Sequence, residues 1–236
     1  MLVAAAVCPC PPLLVPEVAA GAAPELDALR AACLDAVGVL AAARPDRLVV
    51  LGPADEAAQG PYLQGALGSF RGFGVDLEVR LGAAKTVPER ELPPSLSVGA
   101  WLLLRTEWSG APVEALGVAE SLPRDRALPA GREIAASAPR VALLVMGDGS
   151  ACRTVKAPGY FDERAEAFDA AAARALGTAD TEALAALDME PAAALQASGR
   201  ACWQVLAGAA GDAGLSGRLL RAEAPYGVGY FVASWS

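Results

Sequence analysis

Residues 140–150 read RVALLVMGDGS. After Arg140 comes an unbroken apolar run, Val141–Met146, which stops at Gly147-Asp148-Gly149. A run this short, partly β-branched and closed by glycine, predicts a strand rather than a helix. Neither face of its alternation carries a polar residue, so the strand must be buried on both sides. Such strands belong to parallel sheets covered by helices on each face.

The chain around it alternates accordingly. Residues 1–7 and RLVVL at 47–51 predict two more buried strands, and VEALGVAES at 113–121 a further one. Leu26, Leu29, Cys33, Val37 and Leu40 recur every three or four residues. They predict an amphipathic helix over 24–43, with Pro24 near its start. SLSVGAWLLLR at 95–105 predicts a buried helix, and 125–138 another. The glycine-rich stretch 52–74 reads as a loop, and VDLEVRL at 75–81 alternates like a half-exposed strand. Three helical stretches are expected between Asp162 and Gly211, parted near Gly177 and Met189. GRLLRAEA and GVGYFVASW close the chain as two strands. No linker, low-complexity tract or internal repeat interrupts the pattern. The expectation is a single α/β domain over residues 1–236, three layers (α/β/α) around a mixed, mostly parallel central sheet. Sites in such sheets lie beyond the carboxyl ends of the strands. The ends that stand out are CPCPP after the first strand, GPAD after the second and GDGSACR after the one at 140–147.

Composition narrows the function classes. The 236 residues carry 19 Lys+Arg against 27 Asp+Glu, a formal net charge of −8. Phosphate binding needs a basic face, so a nucleic-acid partner is not expected. Hydrophobic residues make up 54% of the chain and mean hydropathy is +0.36, but much of this is alanine, a helix former. No apolar run reaches the roughly 18 residues of a membrane span, and no membrane partner is expected. The first residues are broken by Pro9, Pro11, Pro12 and Pro16, and no basic residue precedes Arg30. Neither feature suits a secretory leader, so a cytoplasmic protein is expected.

The cysteines are Cys8, Cys10, Cys33, Cys152 and Cys202. An odd, scattered set suits reduced thiols rather than a disulfide framework. Cys33 and Cys202 fall in helical patterns and are expected as small core residues. Histidine is absent altogether. That excludes a Ser-His-Asp triad, a Cys-His pair, an HExxH zinc site and the two-His-one-carboxylate iron triad. Any base must be Asp, Glu, Lys, Tyr or Cys.

GDGSACRTVKAPGYFDERAEAFD at 147–169 is similar to the signature of the class III extradiol ring-cleavage dioxygenases, the LigB-like superfamily that includes the Memo proteins. There, a strand ends in a Gly-Asp-x-Ser-His-Arg turn, followed by an Ala-Pro-x-x-Tyr-Asp-like segment and a helix with a Phe-Asp pair. Gly147, Asp148, Ser150, Ala157, Pro158, Tyr160, Asp162, Phe168 and Asp169 match. AEAPYGVGYFVASW resembles the family's closing strand pair, and the opening strand with CPCPP its Pro-His-Pro-Pro end. The resemblance implies an iron(II) site of two histidines and a glutamate, with another histidine as acid/base. On this chain the ligand histidines fall on Cys10 and Ala54, the histidine of the Gly-Asp-x-Ser-His turn on Ala151, and the glutamate on Glu223. Cys152 stands where the family has arginine.

With only the carboxylate kept, the expectation is a family member that has lost iron-dependent ring cleavage and carries no cofactor. It would bind a small aromatic ligand in a vestigial pocket or serve as the non-catalytic partner of a histidine-containing paralogous subunit. Self-association as a homodimer is what the family suggests. The rival reading is a metal-dependent oxidoreductase acting on a small aromatic substrate, with iron, zinc or copper held by Cys10 and Glu223. A thiolate there would favour zinc or copper(I). Cys8, Cys10, Asp55, Asp148, Cys152 and Glu223 would converge if the strand ends are neighbours, with Ala54, Ala151, Lys156, Tyr160 and Tyr226 lining the pocket. A reversible disulfide, Cys8–Cys10 or Cys10–Cys152, is a further option, strained in the first case. Asp148 is expected to bond backbone N–H groups and shape its turn rather than act on a substrate. Gly147, Gly149, Gly227 and Gly229 are expected to permit tight turns and close backbone approach.

Overall fold

A computed structural model describes residues 1–211 and 213–236. In chain order it contains β1 (Leu2–Cys8), α1 (Pro16–Ala19), α2 (Asp27–Ala42), β2 (Arg47–Ala54), β3 (Gly60–Tyr62), β4 (Leu67–Ser69) and β5 (Glu78–Arg80). There follow α3 (Pro94–Arg105), β6 (Val113–Ala119), α4 (Arg124–Ala136), β7 (Val141–Met146) and α5 (Ala165–Thr178). The chain closes with α6 (Thr181–Ala185), α7 (Met189–Ala194), α8 (Arg200–Ala210), β8 (Gly217–Glu223) and β9 (Tyr230–Trp235). A 7-stranded sheet in the order β3-β6-β2-β7-β1-β9-β8 forms the middle layer. Its centre, β6-β2-β7-β1, is parallel, while β3, β9 and β8 pair antiparallel.

Strand alternation divides the core in two. Ala4, Ala6, Cys8, Val50, Leu144 and Met146 point to one face, beneath α2 and α3. Leu2, Ala5, Val7, Val49, Leu51, Leu143 and Val145 point to the other, beneath α4, α5, α6 and α8. Every residue of β7 is buried, and each such Val or Leu contributes about 1.5–3 kcal/mol. This is the expected three-layer α/β/α arrangement with a mixed, largely parallel sheet. No helix among the described residues is long and apolar enough to cross a membrane.

Alanine and glycine set the helix spacing. On the α4/α8 contact, a Cβ on Gly131 would collide with the Val205 carbonyl, and one on Gly208 with the backbone of Leu128. The two helix backbones therefore touch, at a separation only glycine allows.

Several boundaries depart from the sequence reading. The helix placed at 24–43 begins at Asp27, because Pro24 sits inside a 3-10 run, Ala20–Leu26. The glycine-rich 52–74 segment contains β3 and β4, and β5 pairs with β4 in a separate 2-stranded sheet. Where three helical stretches were expected there are four. α5 runs through Gly177 to Thr178 and is closed by Ala179, whose φ is 53°. Asp180 then caps α6, accepting from the Ala183 N–H at 2.9 Å, and Asp188 caps α7, accepting from the Glu190 N–H at 3.2 Å. These aspartates are N-cap residues.

Candidate functional site at the strand ends

Register brings the strand ends together. Cys8 pairs with Met146, and Gly147 N–H continues the ladder by donating to Cys8 O at 3.0 Å. Two residues on, Cys10 N–H donates to Asp148 Oδ1 at 2.8 Å. Extending the pairs Leu51↔Val145 and Val7↔Ala233 sets Ala54 beside Asp148 and Tyr230 beside Cys10, while Tyr230 pairs directly with Glu223. The result is one row across five strands, Ala54–Asp148–Cys10–Tyr230–Glu223, and alternation places its members on the α2/α3 face. Its position at the carboxyl ends of the parallel strands is where α/β sheets carry their sites.

The row is chemically unusual for a core edge. Burial pushes the Asp148 carboxyl up to about 7, against the lowering effect of the Cys10 N–H and with a further push from Glu120. Burial, then the neighbouring Asp148, holds the Cys10 thiol well above its usual range. The Tyr230 phenol is raised by burial and then by Asp148 and Cys10. At neutral pH the thiol and phenol stay protonated, and Asp148 is poised between its two forms. Glu223 is engaged elsewhere, accepting from both Arg221 Nε and Nη2 at 2.6 Å.

The other residues singled out from sequence are spread around this row. Cys8 is buried in the core. Its thiol meets Cys33, a contact that adds to burial in raising the Cys33 thiol. Asp55 is exposed and accepts from the Ala58 N–H at 2.8 Å. Ala151 is buried, its N–H donating to Leu195 O at 2.9 Å. Cys152 packs with Ala165 and Leu195, its thiol 3.4 Å from Gly159 O and 3.5 Å from Leu195 O. Lys156 and Tyr160 are exposed. Tyr226 is half-buried, and its hydroxyl donates to Glu25 Oε2 at 2.9 Å. All five cysteines are free and buried.

Asp148 bonds backbone as expected, but the N–H it takes belongs to β1's end rather than to its own turn. The carboxylate that shapes the Gly-Asp-Gly-Ser turn is Asp169, from the first turns of α5. It accepts from Ser150 N–H at 2.7 Å, Ser150 Oγ–H at 2.9 Å and Arg153 Nη1 at 3.2 Å. Gly149 and Gly229 let it in, since a Cβ on either would lie 2.8 or 2.5 Å from an Asp169 oxygen. Tyr230 and Asp169 were not singled out for these roles from sequence. An alternation of apolar residues into Tyr230 was the only available signal for the first, and a matched Phe-Asp pair for the second.

No family model matches the chain, and no curated protein matches it. Among solved structures, the crystal structure of the uncharacterized protein JW3007 from Escherichia coli K12 matches with a TM-score of 0.56. The match covers 99% of each chain at 12% identity. The fold is shared. Identity this low carries the architecture and nothing of the chemistry.

The residues onto which the sequence resemblance would place ligands do not make the three-point face that iron(II) needs. Ala54 and Ala151 offer no donor atom, the Cys10 thiol is held protonated, and Glu223 is paired with Arg221. Among the described residues, no group of three His, Cys, Asp or Glu side chains could hold a metal ion.

Proposed function

We propose that this chain is a LigB-like protein that does not carry out iron-dependent ring cleavage. It serves as a ligand-binding chain or as the non-catalytic partner of a histidine-containing paralogue. The observation that carries the reading is the row Ala54–Asp148–Cys10–Tyr230–Glu223. In support of the reading, the strand-end positions to which the resemblance assigns ligands hold a methyl group, a protonated thiol and an ion-paired carboxylate. What remains is a patch of neutral donors, Tyr230 and Cys10, beside a half-buried acid. Such a patch suits hydrogen bonding to a small aromatic ligand. A reducing cytoplasm fits five free, buried thiols.

Metal content per chain, measured by mass spectrometry on protein purified without oxygen, chelator or histidine tag, tests the reading. A metal-free folded protein is the expected result. A stoichiometric metal that Cys10→Ala removes would overturn it, in favour of a rebuilt oxidoreductase site on Cys10 and Glu223. Co-purification of a histidine-containing paralogous chain would select the partner role over the ligand-binding one.

A further inference from the structure

β8 closes one end of the 7-stranded sheet, and among the described residues its outer edge meets no further strand. Its pairing with β9 shows which backbone groups are left over. Ser216 and Ser236 exchange both bonds, at 3.0 and 3.1 Å. In an antiparallel ladder such pairs recur at every second residue of a strand. On β9, Val232 and Tyr230 fall in that phase, and their partners are Arg221 and Glu223. Leu219 and Ala222, opposite Ala233 and Phe231, fall out of phase and turn their N–H and C=O groups to the open edge. Both residues are exposed, and among the described residues no other backbone group bonds to them. Arg221 and Glu223 stand on one face of this edge, on either side of Ala222, with part-exposed side chains.

We propose that β8 pairs edge to edge, antiparallel, with β8 of a second copy of this chain, about a two-fold axis through Ala222. In that register Ala222 and the second copy's Ala222 exchange N–H···O bonds. Arg221 lies opposite the second copy's Glu223, and Glu223 opposite its Arg221, so the edge is its own electrostatic complement. The charges also select the register. Alternation of side chains lets the axis move only in whole residues if the faces are to stay matched. One residue toward the start of β8 sets Arg221 against Arg221, and one residue the other way sets Glu223 against Glu223. Like charges directly opposite each other are destabilising. The bulge between Leu219 and Arg221 ends the regular ladder on one side, and Pro225, with no N–H, ends it on the other. The shared ladder is short, so the dimer is weak and reversible, with a Kd between about 10 μM and 1 mM. In the pair, the Glu223 ends of the two strand-end rows flank the axis. The pairing rests on the sheet edge and stands whether or not the row binds a ligand.

Sedimentation velocity on the intact chain, from about 10 μM to 1 mM, tests the proposal. The parent should pass from monomer to dimer across that range. Ala222→Pro removes the outward N–H at the axis, where an edge strand tolerates proline. It should stay monomeric with an unchanged circular dichroism spectrum. Arg221→Glu sets like charges opposite each other at two symmetric positions and should weaken the dimer about tenfold or more. Adding Glu223→Arg to it restores both opposite-charge pairs and should return the Kd to within about threefold of the parent. A parent that stays monomeric, a dimer that persists in folded Ala222→Pro, or a double variant no tighter than Arg221→Glu alone would each overturn it.

Discussion

Asp148 and Asp169 serve the same strand end and meet opposite electrostatic fates. Asp169 is 1% exposed, yet three donors from Ser150 and Arg153 converge on its two oxygens. Asp148 keeps partial solvent access but receives a single N–H, from Cys10. Burial raises both carboxyls. In Asp169 it is opposed by a cation and paired hydrogen bonds, whereas Asp148, with one donor and Glu120 nearby, rises to about 7. Depth alone does not decide whether an acid titrates near neutrality; the number and charge of its donors do. One carboxylate is a fastening and the other is a movable proton.

The largest test of this contrast is Asp169→Ala. It strands a buried Ser150 N–H and leaves Arg153 without its buried partner, so unfolding free energy should fall by about 3–5 kcal/mol in urea denaturation. A loss below about 1 kcal/mol would mean the turn holds without its carboxylate.

Asp148→Asn should act in the opposite direction. The folded carboxyl sits at about 7 against an ordinary 3.8. Between those values the folded chain keeps a proton that the unfolded chain has lost. The stability this group contributes is therefore complete below about pH 4 and is lost as pH rises through 7. The asparagine keeps an acceptor for Cys10 N–H and does not titrate. It should gain about 1–3 kcal/mol over the parent at alkaline pH and flatten the slope in between. A parent slope that survives the substitution would assign the titration to another group.

The smallest effect is expected at Arg221→Met, which frees Glu223 from a half-buried pair. Denaturation should register about 0–1 kcal/mol.

How far the sequence reveals this molecule varies by region. β1, β2 and β7 are legible because strands buried on both faces leave unbroken apolar runs. The caps at Asp180 and Asp188 are short-range signals of a recognised kind, yet alanine on both sides of each masks the helix breaks. The strand ends can be picked out by their glycine- and proline-rich turns, but the row Ala54–Asp148–Cys10–Tyr230–Glu223 depends on strand order, which is set by contacts between distant segments. Arg200 is the hardest case. An arginine in a helix reads as a solvated residue, and only the packed turn carrying the Glu120 and Leu122 carbonyls makes it a buried charge.

The glycine contact between α4 and α8 reaches further than packing. Because Gly131 and Gly208 let two backbones touch, α8 has no soft layer on which to slide, and its first turn is held at a fixed height above the sheet edge. Any side chain at either position would work as a wedge under a lever. A methyl group at Gly208 would meet the Leu128 backbone and one at Gly131 the Val205 carbonyl, so either would push α8 off α4 and loosen the layer above the sheet.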